Sequence, residues 1–231
     1  MKTIGMIGGM SWESTLVYYR IVNEAVRERM GGLHSAKSIL YSVDFAEIEA
    51  LQHAGRWDAA QSILVGAAQA LVRAGADLLI ICTNTMHKLA DPVAASVAIP
   101  LLHIADPTAE AVLAAGMNTV ALLGTRFTME EDFYRRRLED RYGLRVLIPD
   151  AVQRQSVHDI IYTELCLGRI REPSRQAYAR IIDDLVQRGA QGVILGCTEI
   201  GLLVRADGCP VPVFDTARIH ARAAVHAALT E

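Results

Sequence analysis

Two similar stretches of the chain decide the fold: Gly75-Ala76-Asp77-Leu78-Leu79-Ile80-Ile81-Cys82-Thr83-Asn84-Thr85 and Gly189-Ala190-Gln191-Gly192-Val193-Ile194-Leu195-Gly196-Cys197-Thr198-Glu199. Each begins with Gly-Ala, continues as an apolar run and ends in small polar residues. This pattern predicts a buried parallel strand that delivers its last residues to a loop. When the Gly-Ala pairs are aligned, Thr83 stands opposite Cys197, so the two copies differ at a residue with reactive chemistry.

The similarity extends to two more pairs of segments in the same order. Residues 2–9 are similar to residues 118–125, and residues 99–104 are similar to residues 211–216. All three matches have offsets of 112 to 116 residues, which indicates a duplicated α/β unit. We therefore predict two similar Rossmann-like lobes with parallel sheets, related by a pseudo-twofold axis, and an active site in the cleft between them.

Strand and helix patterns alternate along the chain. The periodicity predicts strands over 3–7, 38–42 and 78–82 and helices over 13–30 and 57–74. Helices near 106–115 and 217–229 are expected where the chain passes from one lobe to the other. The predicted lobes are residues 1–103 with 215–231, and residues 104–214. In such folds ligands bind at the carboxyl ends of the strands.

The composition excludes several classes of protein. The net charge is −3, and the one basic run, Arg135-Arg136-Arg137, lies among acidic residues on a predicted helix, so no nucleic-acid partner is expected. The apolar runs are too short to span a bilayer, so no membrane partner is expected. The four cysteines form no CxxC pair and no secretory signal is evident, which favours a cytoplasmic location with reduced thiols.

Cys197 is the strongest candidate for a reactive group. A cysteine just past a buried strand lies where backbone N–H groups point towards a ligand, and this setting is expected to lower the thiol pKa. Glu199, two residues later, is expected to hold a substrate ammonium group or a neighbouring base. The competing interpretation is a cysteine that only packs in the core.

The counterpart is Thr83-Asn84-Thr85. Asn and Thr side chains suit the binding of a carboxylate, whereas the hydroxyl of Thr83 stays protonated at neutral pH and makes a poor base. Cys82 is expected to pack in the core, because adjacent side chains of a strand point to opposite faces.

Other glycine and histidine positions give weaker signals. In Gly8-Gly9-Met10-Ser11-Trp12 the glycines are expected to let a ligand approach a helix start, although the spacing is not that of a dinucleotide site. Thr125 stands at the equivalent point of the second repeat. His87 follows Thr83 by four residues and either reaches back towards the site or has a surface or capping role. No metal site is predicted.

These motifs together resemble the aspartate/glutamate racemase family, most closely its bacterial amino-acid racemases. The similarity is carried by Gly8-Gly9-Met10-Ser11-Trp12, by Cys82-Thr83-Asn84-Thr85-Met86-His87 and by Gly196-Cys197-Thr198-Glu199, and it covers nearly the whole chain. It implies two α/β lobes, a homodimer and no cofactor. It also implies that two cysteines on opposite sides of the substrate Cα exchange its proton.

The resemblance assigns roles by position. Cys197 matches the second catalytic cysteine, and Thr83 stands where the first is expected. The resemblance places Met10, Asn84, Thr85 and Thr198 in the substrate pocket and Gln52 near the distal carboxylate. Cys166 stands where many relatives have a lysine. The second cysteine of the family acts on the L-enantiomer, so the chain is expected to favour L-aspartate or L-glutamate.

Two alternatives remain open from the residues. One is a single-thiol decarboxylase or cis-trans isomerase of small dicarboxylic acids on the same scaffold, which release of carbon dioxide from a malonate-type acid would reveal. The other is a non-catalytic protein that binds acidic amino acids, against which the intact Cys197 argues.

Overall fold

The computed structural model describes residues 1–230, which fold into eight strands and eleven α-helices. The strands are β1 (Ile4–Gly8), β2 (Ser38–Ser42), β3 (Leu78–Ile81), β4 (Leu101–Leu102), β5 (Thr119–Gly124), β6 (Arg145–Leu147), β7 (Gly192–Gly196) and β8 (Val213–Asp215). The helices are α1 (Trp12–Met30), α2 (Phe45–His53), α3 (Trp57–Arg73), α4 (Ala90–Ala95), α5 (Ala105–Ala114), α6 (Arg126–Glu130), α7 (Asp132–Tyr142), α8 (Ala151–Thr163), α9 (Glu172–Gln187), α10 (Ile200–Leu203) and α11 (Thr216–Leu229). No helix among these residues is long and apolar enough to cross a membrane.

The chain divides into two compact units with the same sheet topology. The first sheet has the strand order β2-β1-β3-β4 and the second has the order β6-β5-β7-β8, and every pairing is parallel. The prediction of an α/β fold with two similar parallel-sheet lobes is confirmed.

The strand register reproduces the sequence repeat. In the first unit Ile4 pairs with Leu78, and in the second unit Val120 pairs with Gly192. The offsets of the repeat map the first pair onto the second. The duplication is therefore visible in the backbone pairing as well as in the sequence.

A polar side chain just before the third strand of each repeat fastens it to the first strand. The Asp77 carboxylate accepts a hydrogen bond from the backbone N–H of Thr3 at 2.6 Å. The Gln191 side-chain oxygen accepts one from the backbone N–H of Thr119 at 3.1 Å. These two hydrogen bonds occupy equivalent positions in the two repeats and help to fix the register of the third strand against the first.

Each unit has its own apolar core. In the first unit the inner residues of β1 and β3 pack with α3, and Met10 and Met86 join this cluster. In the second unit β5 and β7 pack with α8 and α9, and Cys197 belongs to that cluster. Burial of the central strands on both faces accounts for their continuous apolar runs.

The unit boundaries differ slightly from those expected. The first unit is Met1–Ile104 together with the C-terminal residues from His220, and the second is Ala105–Ile219. The second boundary was expected at 214/215 but falls inside α11, because the inner side chains of that helix, including His220, pack on the first unit. The structure also adds α2, whose first turn is capped by Asp44 through a 3.1 Å bond from the backbone N–H of Ala46.

The close approach of β5 and β7 gives a stability test. An added Cβ at Gly124 would lie 2.7 Å from the backbone oxygen of Gly196, which cannot move without disturbing the sheet. We expect Gly124→Ala to lower the free energy of unfolding by about 1–3 kcal/mol. Gly66→Ala is the control, because its Cβ would meet nothing on the exposed side of α3, and it should raise stability by about 0.5–1 kcal/mol. Urea denaturation of both variants measures the difference, and equal stabilities would contradict the packing argument.

Candidate active site

In the first unit the polar residues after β3 are buried at the carboxyl edge of the sheet. Thr83, Asn84 and Thr85 are 9%, 1% and 5% exposed, and a 3₁₀ turn over Thr85–Leu89 follows at once. The tight turn keeps all three predicted residues within one short segment. They lie at the strand end where ligands bind in parallel α/β sheets.

The glycine loop after β1 is shaped by contacts inside the protein. Gly9 has φ of +90°, and a Cβ there would lie 2.3 Å from the backbone oxygen of Val43. The backbone N–H of Gly9 donates to Thr15 Oγ1 at 2.9 Å, and that hydroxyl donates to the backbone oxygen of Ser11 at 2.8 Å. The backbone of Val43 is therefore one reason why only glycine fits at position 9, and the approach of a ligand to this loop stays a prediction.

Two further predicted residues of the first unit are also buried. Met10 is 3% exposed and packs in the apolar core of the first unit. Gln52 projects from α2, is 4% exposed, and its Nε2 lies 3.0 Å from the sulfur of Met86. Gln52 thus lies beside the turn that follows Thr85.

In the second unit the equivalent edge carries Thr125 and Cys197. They follow Gly124 and Gly196, which are paired in the β5–β7 register. The Thr125 hydroxyl accepts a hydrogen bond from the backbone N–H of Thr128 at 3.3 Å and so caps α6. Cys197 leaves the adjacent strand with its side chain 7% exposed.

The thiol of Cys197 is hydrogen-bonded to a buried carboxylate. Its Sγ donates to Glu199 Oε2 at 3.0 Å, and the Thr198 hydroxyl donates to the same oxygen at 2.8 Å. Glu199 is 3% exposed, whereas Thr198 is half-buried. This compact arrangement brings together all three residues predicted in the second strand end.

The expected lowering of the Cys197 pKa is wrong. Burial raises the pKa of this thiol well above its ordinary value, and the nearby Glu199 carboxylate raises it further. The backbone N–H of Glu199 acts in the opposite direction but has a smaller effect. The burial of Cys197 and the negative charge of Glu199 therefore outweigh the hydrogen bond from the backbone N–H. Cys197 at rest is a protonated thiol.

The remaining cysteines differ in their surroundings. Cys82 is fully buried and burial raises its thiol pKa, in agreement with a core role. Cys166 is half-buried, packs against the core cluster that contains Cys197, and its charge would raise the pKa of that thiol. Cys209 is also half-buried, and desolvation raises its pKa.

Two histidines hold the strand-end loops, and sequence reasoning indicated His87 but missed His158. His87 Nδ1 donates to the backbone oxygen of Thr83 at 2.7 Å, and His158 Nδ1 accepts from the backbone N–H of Arg126, next to Thr125, at 3.2 Å. The spacing of four residues between Thr83 and His87 is a helical spacing that signals such a bond. Nothing in the sequence indicates that His158 contacts Arg126, which lies 32 residues earlier in the chain.

Within residues 1–230, no group of three or more His, Cys, Asp or Glu side chains is arranged to hold a metal ion. The polar residues at the two strand ends are a hydroxyl and amide group on one unit and a thiol–carboxylate pair on the other. A thiol beside a carboxylate can exchange a proton with a carbon acid, which is acid–base chemistry at carbon.

Comparisons with known proteins show which protein family the chain resembles. Residues 7–224 match the family model described as Asp/Glu/Hydantoin racemase. The crystal structure of a proposed Asp/Glu racemase from Yersinia pestis is 56% identical, covers both chains completely and superposes with a TM-score of 0.92. An aspartate racemase homologue from Pyrococcus horikoshii OT3 is 38% identical, again over the whole of both chains, with a TM-score of 0.86. The curated broad specificity amino-acid racemase RacX of Bacillus subtilis is 22% identical over 96% of each chain.

The fold and the strand-end groups thus define an isomerase of the amino-acid racemase class. The chain belongs to the Asp/Glu/hydantoin racemase family.

The thiol–carboxylate pair gives a chemical test. In Glu199→Gln the like charge beside Cys197 is lost, so the pKa of the thiol should fall and its thiolate fraction at pH 8 should rise. We expect several-fold faster alkylation of Cys197 by iodoacetamide, followed by peptide-resolved mass spectrometry. Glu172→Gln, which changes an exposed carboxylate on α9, should leave the rate unchanged. Slower alkylation in Glu199→Gln would contradict the electrostatic argument.

Proposed function

We propose that this chain racemises aspartate or glutamate by removing and returning the Cα proton, with Cys197 as the thiol acid/base. The observation that carries the proposal is the buried thiol–carboxylate hydrogen bond between Cys197 and Glu199 at the end of β7. The relatives named as Asp/Glu racemase and aspartate racemase homologue support an acidic amino acid as the substrate.

The raised pKa of Cys197 requires a proton acceptor before the thiol can act. Glu199 Oε2 is already in hydrogen-bond contact, so the thiol proton passes to this carboxylate and leaves a thiolate. The thiolate then takes the Cα proton of the L-amino acid and becomes a thiol again, while the electron pair of the C–H bond is left on the substrate. A thiolate with a raised pKa is a stronger base than an ordinary one, which suits a weakly acidic C–H bond.

Thr83 serves the opposite face of the carbanion in this proposal. Its hydroxyl returns a proton directly or through a water molecule, and it cannot match a thiolate as a base for the D-enantiomer. The wild type is therefore expected to have a lower kcat for D-substrates than for L-substrates. Asn84, Thr85 and the strand-end N–H groups stabilise the negative charge that develops on the α-carboxylate, and no organic cofactor is needed.

The other predicted pocket residues have supporting roles. Met10 and Gln52 are proposed to set the pocket size on the first unit, and Gln52 to face the distal carboxylate. Thr125 and Thr198 are proposed to bind the substrate on the second unit. The four cysteines, none of which is in a disulfide within residues 1–230, support a cytoplasmic location.

Exchange of the Cα hydrogen in D₂O tests the proposed function. With L-aspartate and L-glutamate, NMR should show exchange and polarimetry should show racemisation by the wild type. Cys197→Ser should lower both rates by roughly 10²–10⁴-fold, and Glu199→Gln should lower them although it speeds alkylation. Cys209→Ser is the matched control, since it removes a half-buried thiol elsewhere in the same unit.

Thr83→Cys completes that experiment. A second thiol should raise kcat for the D-enantiomer, because it supplies a base where the wild type has only a hydroxyl. Exchange that survives Cys197→Ser would overturn the role of that thiol. Equal wild-type kcat values from both enantiomers would overturn the proposed asymmetry.

We also propose that two copies associate through α1. Its residues Trp12, Leu16 and Tyr19 are 65%, 60% and 51% exposed and lie on one face at helical spacing. The first turn of α1 is acidic and its last turn is basic. An antiparallel pairing of two α1 helices about a twofold axis therefore buries the apolar face and joins unlike charges.

Light scattering after size exclusion tests this interface. The wild type should have twice the mass of one chain. The Leu16→Glu variant should have the mass of a single chain, because formation of the dimer would bury an unpaired carboxylate. Leu113→Glu, which changes another exposed leucine outside α1, should stay a dimer. A dimer that tolerates Leu16→Glu would exclude α1 as the contact.

A further inference from the structure

We infer that His87 is a positioning residue for the proton transfer at the Thr83 face. This inference rests on the proposed function, and it concerns a buried histidine that makes two backbone hydrogen bonds in the first unit. His87 is 2% exposed and lies in the 3₁₀ turn that follows Thr83, Asn84 and Thr85.

The partners of His87 assign its tautomer. The backbone N–H of Ile104 donates to Nε2 at 3.1 Å, so Nε2 has a lone pair. Nδ1 therefore carries the proton of the neutral ring and donates it to the backbone oxygen of Thr83 at 2.7 Å. One ring thus ties the carbonyl of Thr83 to a backbone amide 17 positions beyond the histidine.

The ring cannot easily turn away from these two partners. The His103 ring lies 4.6 Å from it and the His220 ring 5.7 Å from it, both in edge-to-face geometry. His220 is held in its turn, because the Tyr18 hydroxyl contacts its Nδ1 at 3.0 Å and its Nε2 donates to the backbone oxygen of Leu102 at 2.9 Å. The packed rings make His87 a rigid support.

The Thr83 carbonyl is the part of the strand-end segment that this support fixes. The same residue carries the hydroxyl proposed to return the proton, and its peptide bond leads directly to Asn84. A fixed carbonyl therefore restricts the direction of the hydroxyl and of the following backbone N–H groups. A shift of about 1 Å in a reacting group can cost roughly a hundredfold in rate, so this restriction bears on proton delivery more than on substrate binding.

Two substitutions separate the two hydrogen bonds. An asparagine amide nitrogen occupies the position of Nδ1, so His87→Asn keeps the bond to Thr83 and loses the one to Ile104. A glutamine amide oxygen reaches the position of Nε2, so His87→Gln keeps the bond to Ile104 and loses the one to Thr83. Each variant loses one buried hydrogen bond, so the two should have similar urea midpoints. His53→Asn, on the exposed end of α2, is the control.

The readout is the ratio of racemisation to Cα–H exchange with L-aspartate or L-glutamate in D₂O. In the proposed mechanism exchange needs only the Cys197–Glu199 pair and replacement of the thiol proton by solvent deuterium, whereas racemisation also needs proton delivery at the Thr83 face. We expect His87→Gln to lower this ratio by about tenfold or more and His87→Asn to keep it near that of the wild type. A similar ratio in both variants and the wild type, or an equal fall in both, overturns the inference. A wild type that exchanges neither amino acid overturns the proposed function and this role with it.

Discussion

The pairing of the first and third strands in each unit is the constraint on which the strand-end chemistry depends. Parallel strands buried on both faces have a fixed register, and a shift of one residue would turn every side chain to the other face. In the second unit this register brings Gly124 so close to Gly196 that a Cβ on Gly124 would lie 2.7 Å from the Gly196 backbone oxygen. Thr125 and Cys197 are then the first residues after the sheet. In the first unit the equivalent register makes Cys82 a core residue and Thr83 the residue that follows.

Burial of a thiol beside a carboxylate has a chemical consequence. Desolvation and the Glu199 charge keep Cys197 protonated at rest, which protects it from oxidation and alkylation. The same conditions make the thiolate a strong base when it forms, and the carboxylate that raises the pKa is also in place to accept the proton. In the proposed mechanism this one contact between Cys197 and Glu199 sets both the resting state of the thiol and its reactivity.

The sequence predicted the features that depend on local pattern and missed those that depend on the folded chain. The apolar runs and the repeat predicted the central strands, the burial of Cys82 and the alignment of Thr83 with Cys197. The direction of the Cys197 pKa shift was mispredicted, because the sequence shows neither how completely the thiol is buried nor that the Glu199 side chain turns back onto it. The space at Gly9 is taken by a backbone 34 residues away, which no local pattern reveals. For the same reason the bond between His87 and Ile104 had no signal in the sequence.

The proposed mechanism, with a thiol for one face of the substrate and a hydroxyl for the other, must still obey the equilibrium between enantiomers. Mirror-image substrates have equal free energies in water, so their equilibrium constant is one. For a reversible enzyme the ratio of kcat/KM in the two directions equals that constant, and replacing one cysteine by Thr83 cannot change it. The asymmetry must therefore appear in kcat and KM separately. A D-enantiomer that turns over slowly must reach half-saturation at a correspondingly low concentration, so it occupies the enzyme at concentrations where it is turned over slowly. In the proposed mechanism a preference for L-substrates therefore describes which complex accumulates, and the weak base at the Thr83 face is proposed as the reason that the D-complex does.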